Sequence, residues 1–338
     1  MNSFTNFLKK TKGKKVLILT HKAADIDAIA SAAVLQKVLK NPKAVIGVPG
    51  YLNQQAKTLA EKFSLKYQAN PIISTFEALI LEDFNNLGMI GSEAPALEKF
   101  KGPVFLIDHH SENNEFSVPK QFTIKNPKAV STTQILYNVL KNSKMRISSE
   151  TSQLLAAGII ADSNFLQVAD AQAFQDLAEL LKACGKDFAQ IVELFSIPKD
   201  VSERIAALKA AKRVQLFKSG DFIIAASEVS CFENLAADSL ISLGADLAFV
   251  GFADEKQELR VSGRASESFL KKTSINLAEN VFQPLEDRMQ GFGGGHAGAA
   301  AFNGTGSSAM QALQECVNLS VNFLKEKGFC QDLKQLKD

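Results

Sequence analysis

The stretch Val104-Phe105-Leu106-Ile107-Asp108-His109-His110 runs four apolar residues straight into an aspartate and two histidines. Gly102-Pro103 precedes it and Ser111-Glu112-Asn113-Asn114 follows, so it reads as a short buried strand ending in a polar loop. In open α/β sheets, ligands collect at the carboxyl ends of the strands. Asp108, His109 and His110 are therefore expected at a sheet edge where a site forms.

The other histidines point the same way. The chain has only four: His21, His109, His110 and His296. His21 ends the apolar run Val16-Leu17-Ile18-Leu19-Thr20, and Asp25 and Asp27 follow it directly before the helical pattern at 28–40. His296 follows Gly293-Gly294-Gly295. Each histidine lies in a loop-like stretch, and none reads as a core residue.

Working outward, Ala44-Val45-Ile46-Gly47-Val48 and Ala78-Leu79-Ile80-Leu81 are further buried strands, the second running into Glu82-Asp83. Residues 52–63 and 131–142 read as helices, the latter capped by Ser131 or Thr132. Strands alternating with helices predict βαβ units and a mostly parallel sheet with helices on both faces. Residues 149–213 are almost wholly helical in pattern. They include the apolar run 154–161 that ends at Asp162, and a long helix opening at Lys199-Asp200. The texture then changes. A hairpin is expected over 213–226 around Ser219-Gly220-Asp221, with strands at 247–252 and 258–264 and helices near 270–282 and 307–325. The fold class is α/β: residues 1–195 form a metal-binding domain with a helical connector, and 196–338 a smaller mixed α/β domain.

A chain of 338 residues, 46% hydrophobic, has ample core for two domains. A net charge of +2 gives no basic track for a long nucleic acid, and the run Lys9-Lys10-Thr11-Lys12-Gly13-Lys14-Lys15 reads as a solvated turn. The four cysteines form no C-x-x-C pair, and no apolar run is long enough to span a bilayer. A soluble, cytoplasmic protein without a membrane partner is the expectation.

Parallel strands would gather His21, Asp25, Asp27, Asp83, Asp108, His109 and His110 at one edge, with Asp162 as a further carboxylate. Crowded carboxylates repel one another unless cations neutralise them. Mixed carboxylate and imidazole ligands suit Mn²⁺, Zn²⁺ or Fe²⁺ better than Ca²⁺. A carboxylate shared by two ions is the usual two-metal arrangement for attack on phosphorus. Met289 to Gly298 is too glycine-dense for a strand or helix interior, and reads as a loop whose N–H groups approach phosphate. Arg264 supplies a planar fork suited to the same group.

His21-x-x-x-Asp25-x-Asp27, Asp83, Asp108-His109-His110 and Asp162 resemble the four motifs of the DHH phosphoesterase superfamily. Ser262-Gly263-Arg264 and Gly293-Gly294-Gly295-His296 resemble its DHHA1 substrate-binding domain, and the likeness covers roughly 15–325. The resemblance implies two Mn²⁺ ions, with Mg²⁺ or Co²⁺ as substitutes. His21, Asp25 and Asp83 would hold one; Asp27, Asp83, His109 and Asp162 would hold the other, with Asp83 bridging. His110 would face the substrate phosphate or leaving oxygen, and Asp108 would orient a histidine. Arg264, His296 and the glycines would bind substrate phosphate. The sequence departs from the family pattern at Ala23-Ala24, Ser111 and Ala161-Asp162-Ser163-Asn164, without losing a ligand.

The implied activity is hydroxide attack on short oligoribonucleotides or 3′-phosphoadenosine 5′-phosphate, in a chain that can form a homodimer. Cyclic or linear dinucleotides are alternative substrates. A RecJ-type single-strand exonuclease is disfavoured by length, and a family II pyrophosphatase by the glycine-histidine motif. A non-catalytic nucleotide-binding protein on the same scaffold is the alternative from another class.

Overall fold

The computed structural model describes residues 2–111, 122–198, 200–305, 308–330 and 332–336. Glu112 to Asn114 of the polar loop and Lys199 at the expected helix opening lie outside them. Two compact units are present, Met1–Ile197 and Pro198–Asp338.

The first unit contains α1 (Asn2–Lys10), β1 (Val16–Leu19), β2 (Ala23–Ala24), α2 (Ile26–Leu39), β3 (Ala44–Val48), β4 (Tyr51–Leu52), α3 (Gln54–Lys62) and β5 (Tyr67–Ala69). It continues with β6 (Ala78–Glu82), α4 (Ala94–Glu98), β7 (Val104–Asp108), β8 (Thr123–Lys125), α5 (Thr132–Asn142), α6 (Ser149–Asp162), α7 (Ala171–Cys184) and α8 (Phe188–Val192). Six strands form one sheet in the order β5-β3-β1-β6-β7-β8, and every pairing is parallel. The expected α/β class is borne out.

The sequence explains the layering. Val16, Ile18, Ala78, Ile80, Phe105 and Ile107 alternate toward one face and pack with α2, α5 and α6. Leu17, Leu19, Leu79, Leu81 and Leu106 point to the other, where Ile90, Leu97 and Phe84 cover them. Helix α2 is buried along most of its length, which suits its alanine-rich sequence. Strand order reverses between β1 and β6, the switch point at which α/β sheets bind ligands. His21 and Asp83 follow these two strands.

The second unit contains α9 (Val201–Arg213), β9 (Gln215–Ser219), β10 (Phe222–Glu228), α10 (Glu233–Ser242), β11 (Leu247–Ala253), β12 (Glu258–Ala265) and α11 (Glu267–Thr273). A π-helical turn (Ala278–Phe282), α12 (Gln283–Glu286), β13 (Gly291–Gly295), β14 (Ala299–Thr305), α13 (Ala309–Glu326) and β15 (Leu333–Leu336) complete it. The sheet order is β13-β14-β12-β11-β10-β9-β15, and only β10 with β11 is parallel. The hairpin expected over 213–226 is β9–β10.

Two expectations are corrected. The glycine stretch is not a loop: Gly291 to Gly295 form an edge strand paired with β14. Phe282 explains the glycine at 293, because a Cβ there would lie 2.3 Å from its carbonyl oxygen. The continuous helix near 270–282 is instead α11 and a separate π-helical turn. Ser274 breaks it with left-handed backbone at φ 56°.

Candidate metal centre

The β1, β6 and β7 strand ends and helices α2 and α6 converge on one group of carboxylates and imidazoles in the first unit. Three sets of side chains each have ligand atoms within 4.8 Å of one another: His21, Asp25 and Asp83; Asp27, His109 and Asp162; and Asp83, His109 and His110. Asp83 belongs to two sets, and so does His109. The first set is the expected group around one cation; the second holds three of the four residues expected around the other, with Asp83 grouped instead with His109 and His110.

Asp83 reaches this position through its backbone. In a continued strand it would point to the layer of Leu79 and Leu81. Its φ of 62° is left-handed, a form that aspartate tolerates better than most residues, and it turns the side chain back toward His21 and His109. Asp83 Oδ2 lies 3.7 Å from His21 Nε2, and Oδ1 lies 3.4 Å from His109 Nε2. Thr132 Oγ1 donates to Oδ1 at 3.0 Å.

Asp25 caps α2, accepting from the Ala28 N–H at 3.1 Å, and stands 3.9 Å from His21 Nε2. Asp27, in the first turn of α2, is buried. Its Oδ2 accepts from the Thr132 N–H at 2.7 Å; its Oδ1 accepts from the Thr133 N–H at 3.0 Å and the Thr133 hydroxyl at 2.5 Å. These donors are the first turn of α5, whose positive end favours a carboxylate. Asp162 sits on the last turn of α6, its Oδ2 3.1 Å from His109 Nε2. Asn164, Phe165 and Leu166 follow with φ of 49°, 54° and 72°, a left-handed run that stores strain beside the site.

Asp108 is wholly buried and accepts from His110 Nδ1 at 2.7 Å. Its other oxygen faces Lys125 Nζ at 3.4 Å. Asp108 therefore fixes the ring of His110, the arrangement by which an outer carboxylate orients a histidine. Although burial raises its pKa, the His110 contact holds the Asp108 carboxyl below its ordinary value.

The electrostatics fit divalent cations. Burial, then the charges of Asp83 and Asp162, push the Asp27 carboxyl well above its usual range. Burial and Asp83 push Asp162 up to about 7. Burial lowers the His109 pKa, but the Asp83 contact and the surrounding carboxylates outweigh it and raise it to about 9. Asp162 Oδ2 is buried without a hydrogen-bond partner among the described residues. Carboxylates that so disfavour one another's charge form a site that a cation stabilises.

Arg264, Gly293, Gly294, Gly295 and His296 all lie in the second unit. Arg264 is on β12, the glycines are on β13, and exposed His296 is in the turn to β14. One loop-phosphate expectation fails for Gly293, whose N–H already donates to Glu286 Oε1 at 2.7 Å.

Four contributors escape a reading of motifs. Thr132 reads only as a possible helix cap and Thr133 carries no signal; their role as donors to Asp27 and Asp83 depends on where α5 starts. Lys125 lies on a three-residue strand with no pattern. Gly158 lets α6 approach α2: a Cβ there would stand 2.4 Å from Thr133 Oγ1 and 2.7 Å from Asp27 Oδ1. Gly158→Ala is thus expected to displace Asp27, with an overpacking cost of about 1–3 kcal/mol and a melting temperature lower by roughly 5 °C. Metal affinity should fall with it. Calorimetric melts with and without Mn²⁺ check this, and unchanged melting would show that the contact relaxes.

An α/β domain with carboxylates and imidazoles gathered at its switch point defines a candidate centre for divalent metal. Residues 15–159 match the DHH family, N-terminal domain. An uncharacterized protein of Methanocaldococcus jannaschii is 26% identical over 337 residues, 98% of each chain. The cyclic-di-AMP phosphodiesterase GdpP of Bacillus subtilis is 26% identical over 325 residues, 90% of this chain and 47% of that protein, so the chain spans about half its length. The crystal structure of an exopolyphosphatase-related protein from Bacteroides fragilis shares the fold, with a TM-score of 0.61 at 17% identity over 95% of this chain and 96% of that one. No helix among the described residues is long and apolar enough to cross a membrane.

Proposed function

We propose that the protein is a Mn²⁺-dependent phosphoesterase acting on short oligoribonucleotides and 3′-phosphoadenosine 5′-phosphate. The observation that carries this reading is the position of Asp83, within reach of two neighbouring ligand sets. His21, Asp25 and Asp83 would hold one cation, and Asp27, Asp83, His109 and Asp162 the other. Mg²⁺ or Co²⁺ could substitute. Such a pair supplies Lewis acidity toward phosphate and an activated water. His110, hydrogen-bonded to Asp108, would face the substrate phosphate or give a proton to a leaving oxygen. Arg264 and His296 are assigned to substrate phosphate, where a fork of N–H donors and an imidazole suit an anion.

A cyclic or linear dinucleotide is the second reading, favoured by the likeness to a cyclic-di-AMP phosphodiesterase over most of this chain. A panel of RNAs from the dinucleotide upward, with 3′-phosphoadenosine 5′-phosphate and cyclic di-AMP beside them, separates the two. Highest kcat/KM on the shortest linear RNAs supports the first, and preference for the cyclic compound supports the second. No hydrolysis of any leaves nucleotide binding without catalysis.

Arg264→Ala and His296→Ala should each lower kcat/KM on a dinucleotide by about ten- to a hundred-fold, the loss of one charge-assisted contact of about 1.5–3 kcal/mol. Neither is assigned to metal, so bound Mn²⁺ should not change. Steady-state kinetics beside metal analysis read both. Loss of metal in His296→Ala would make that histidine a ligand.

A further inference from the structure

We propose that the exposed row Arg260, Asn303 and Phe292 across β12, β14 and β13 is a nucleobase platform, on which Phe292 stacks a base of the same short oligonucleotide whose phosphate Arg264 holds. This rests on the reading of the protein as a phosphoesterase of short nucleotides.

Strand register sets the platform. Phe292 opposes Asn303, Asn303 opposes Arg260, and Arg260 opposes Phe252, one row across four strands. Directly opposed residues share a face of an antiparallel pair. The Arg260 guanidinium lies 5.9 Å from the Phe252 ring centroid, so that end of the row is in contact. The reverse face is closed by the core: Gly293 abuts Phe282, and Phe302 is buried. Phe292 and Gly294 must therefore face the other way, where no heavy atom lies within 4 Å of a Cβ built on Gly294. Phe292 is 82% exposed.

A lone exposed phenylalanine needs no explanation. This one has Gly294 as the next residue on its own face of β13, with open space where a side chain would stand, and polar groups beside it that match a base. Asn303 offers an amide donor and acceptor, and Arg260 a planar fork, the groups that read base edges. Arg260 uses one Nη on Glu258, at 3.1 Å. Arg264 lies on the same strand and face, four residues or about 13 Å along. Asp238 Oδ1 accepts from its Nε at 2.8 Å and Gly263 O from Nη1 at 3.0 Å, which aims the fork and leaves Nη2 for an anion. Two guanidinium groups and a bare ring complement phosphate and base together. An acidic peptide would engage the arginines and leave Phe292 idle. The separation suits two or more nucleotides.

The test compares a dinucleotide with its abasic analogue, which keeps the phosphodiester and sugars. Stacking on one aromatic ring is worth roughly tenfold or more in binding. Phe292→Ala should lower kcat/KM for the dinucleotide about tenfold relative to the abasic analogue, mainly through KM, while Phe292→Tyr keeps the wild-type preference. Equal loss on both substrates, or no loss on either, overturns the platform. If wild-type protein hydrolyses neither, the phosphoesterase reading fails instead. Fluorescence polarisation of a labelled dinucleotide then decides the platform: a tenfold weaker Kd in Phe292→Ala supports it, and equal affinity overturns it.

Discussion

Asp83→Ala is expected to lose turnover by on the order of 10³-fold or more while the chain stays folded. Even partners that only orient a metal ligand cost about 10–100-fold when removed, and a ligand shared by two ions serves both. Its carboxylate also meets His21, His109 and the Thr132 hydroxyl, so its loss releases both ligand sets at once. The fold should survive because Asp83 follows the last residue of β6 and is not part of the strand. Rates on a dinucleotide beside a circular dichroism melt separate the two effects. Wild-type turnover in this variant would remove Asp83 from the bridging role. Glu82 would then be the alternative; it is buried and hydrogen-bonded to Ser31, with burial and Asp83 holding its pKa high.

Chelation should have the second large effect, complete loss of activity that added Mn²⁺ restores. The metal-free protein should also lose stability as pH rises. Asp162 has a folded pKa of about 7 against an ordinary 3.8, so it binds a proton more tightly when folded, and its contribution to stability falls as pH rises through that interval. His109, raised from 6.5 to about 9, loses its stabilising proton as pH climbs through the higher window. Both act in the same direction, so melting temperatures of chelated protein should decline from about pH 4 to pH 9. Mn²⁺ should flatten that decline by replacing the protons. A chelated protein that grows more stable with pH would contradict the mutual repulsion assigned to these carboxylates.

Much of this site was legible in the sequence because strand ends carry it. An apolar run fixes a strand, and the residue after it falls at the sheet edge whatever the rest of the chain does. That logic located His21, Asp83 and Asp108 to His110, and the structure brings them together with Asp25, Asp27 and Asp162. Side-chain pattern could not reveal what backbone supplies. The donors to Asp27 are the N–H groups of Thr132 and Thr133, which any residue carries. The left-handed turn that aims Asp83 leaves no mark beyond an aspartate. The β13 strand was hidden for the opposite reason: four glycines give no alternation, and its pairing is dictated by Phe282 and β14. Phe292, the one side chain on that strand, gained meaning only once its face was known.

The first unit should hold two cations. Equilibrium dialysis of the full chain against Mn²⁺, with metal measured by mass spectrometry, should give two ions per wild-type chain and fewer in Asp83→Ala. No bound Mn²⁺ in wild-type protein, or a stoichiometry that Asp83→Ala leaves unchanged, would contradict it.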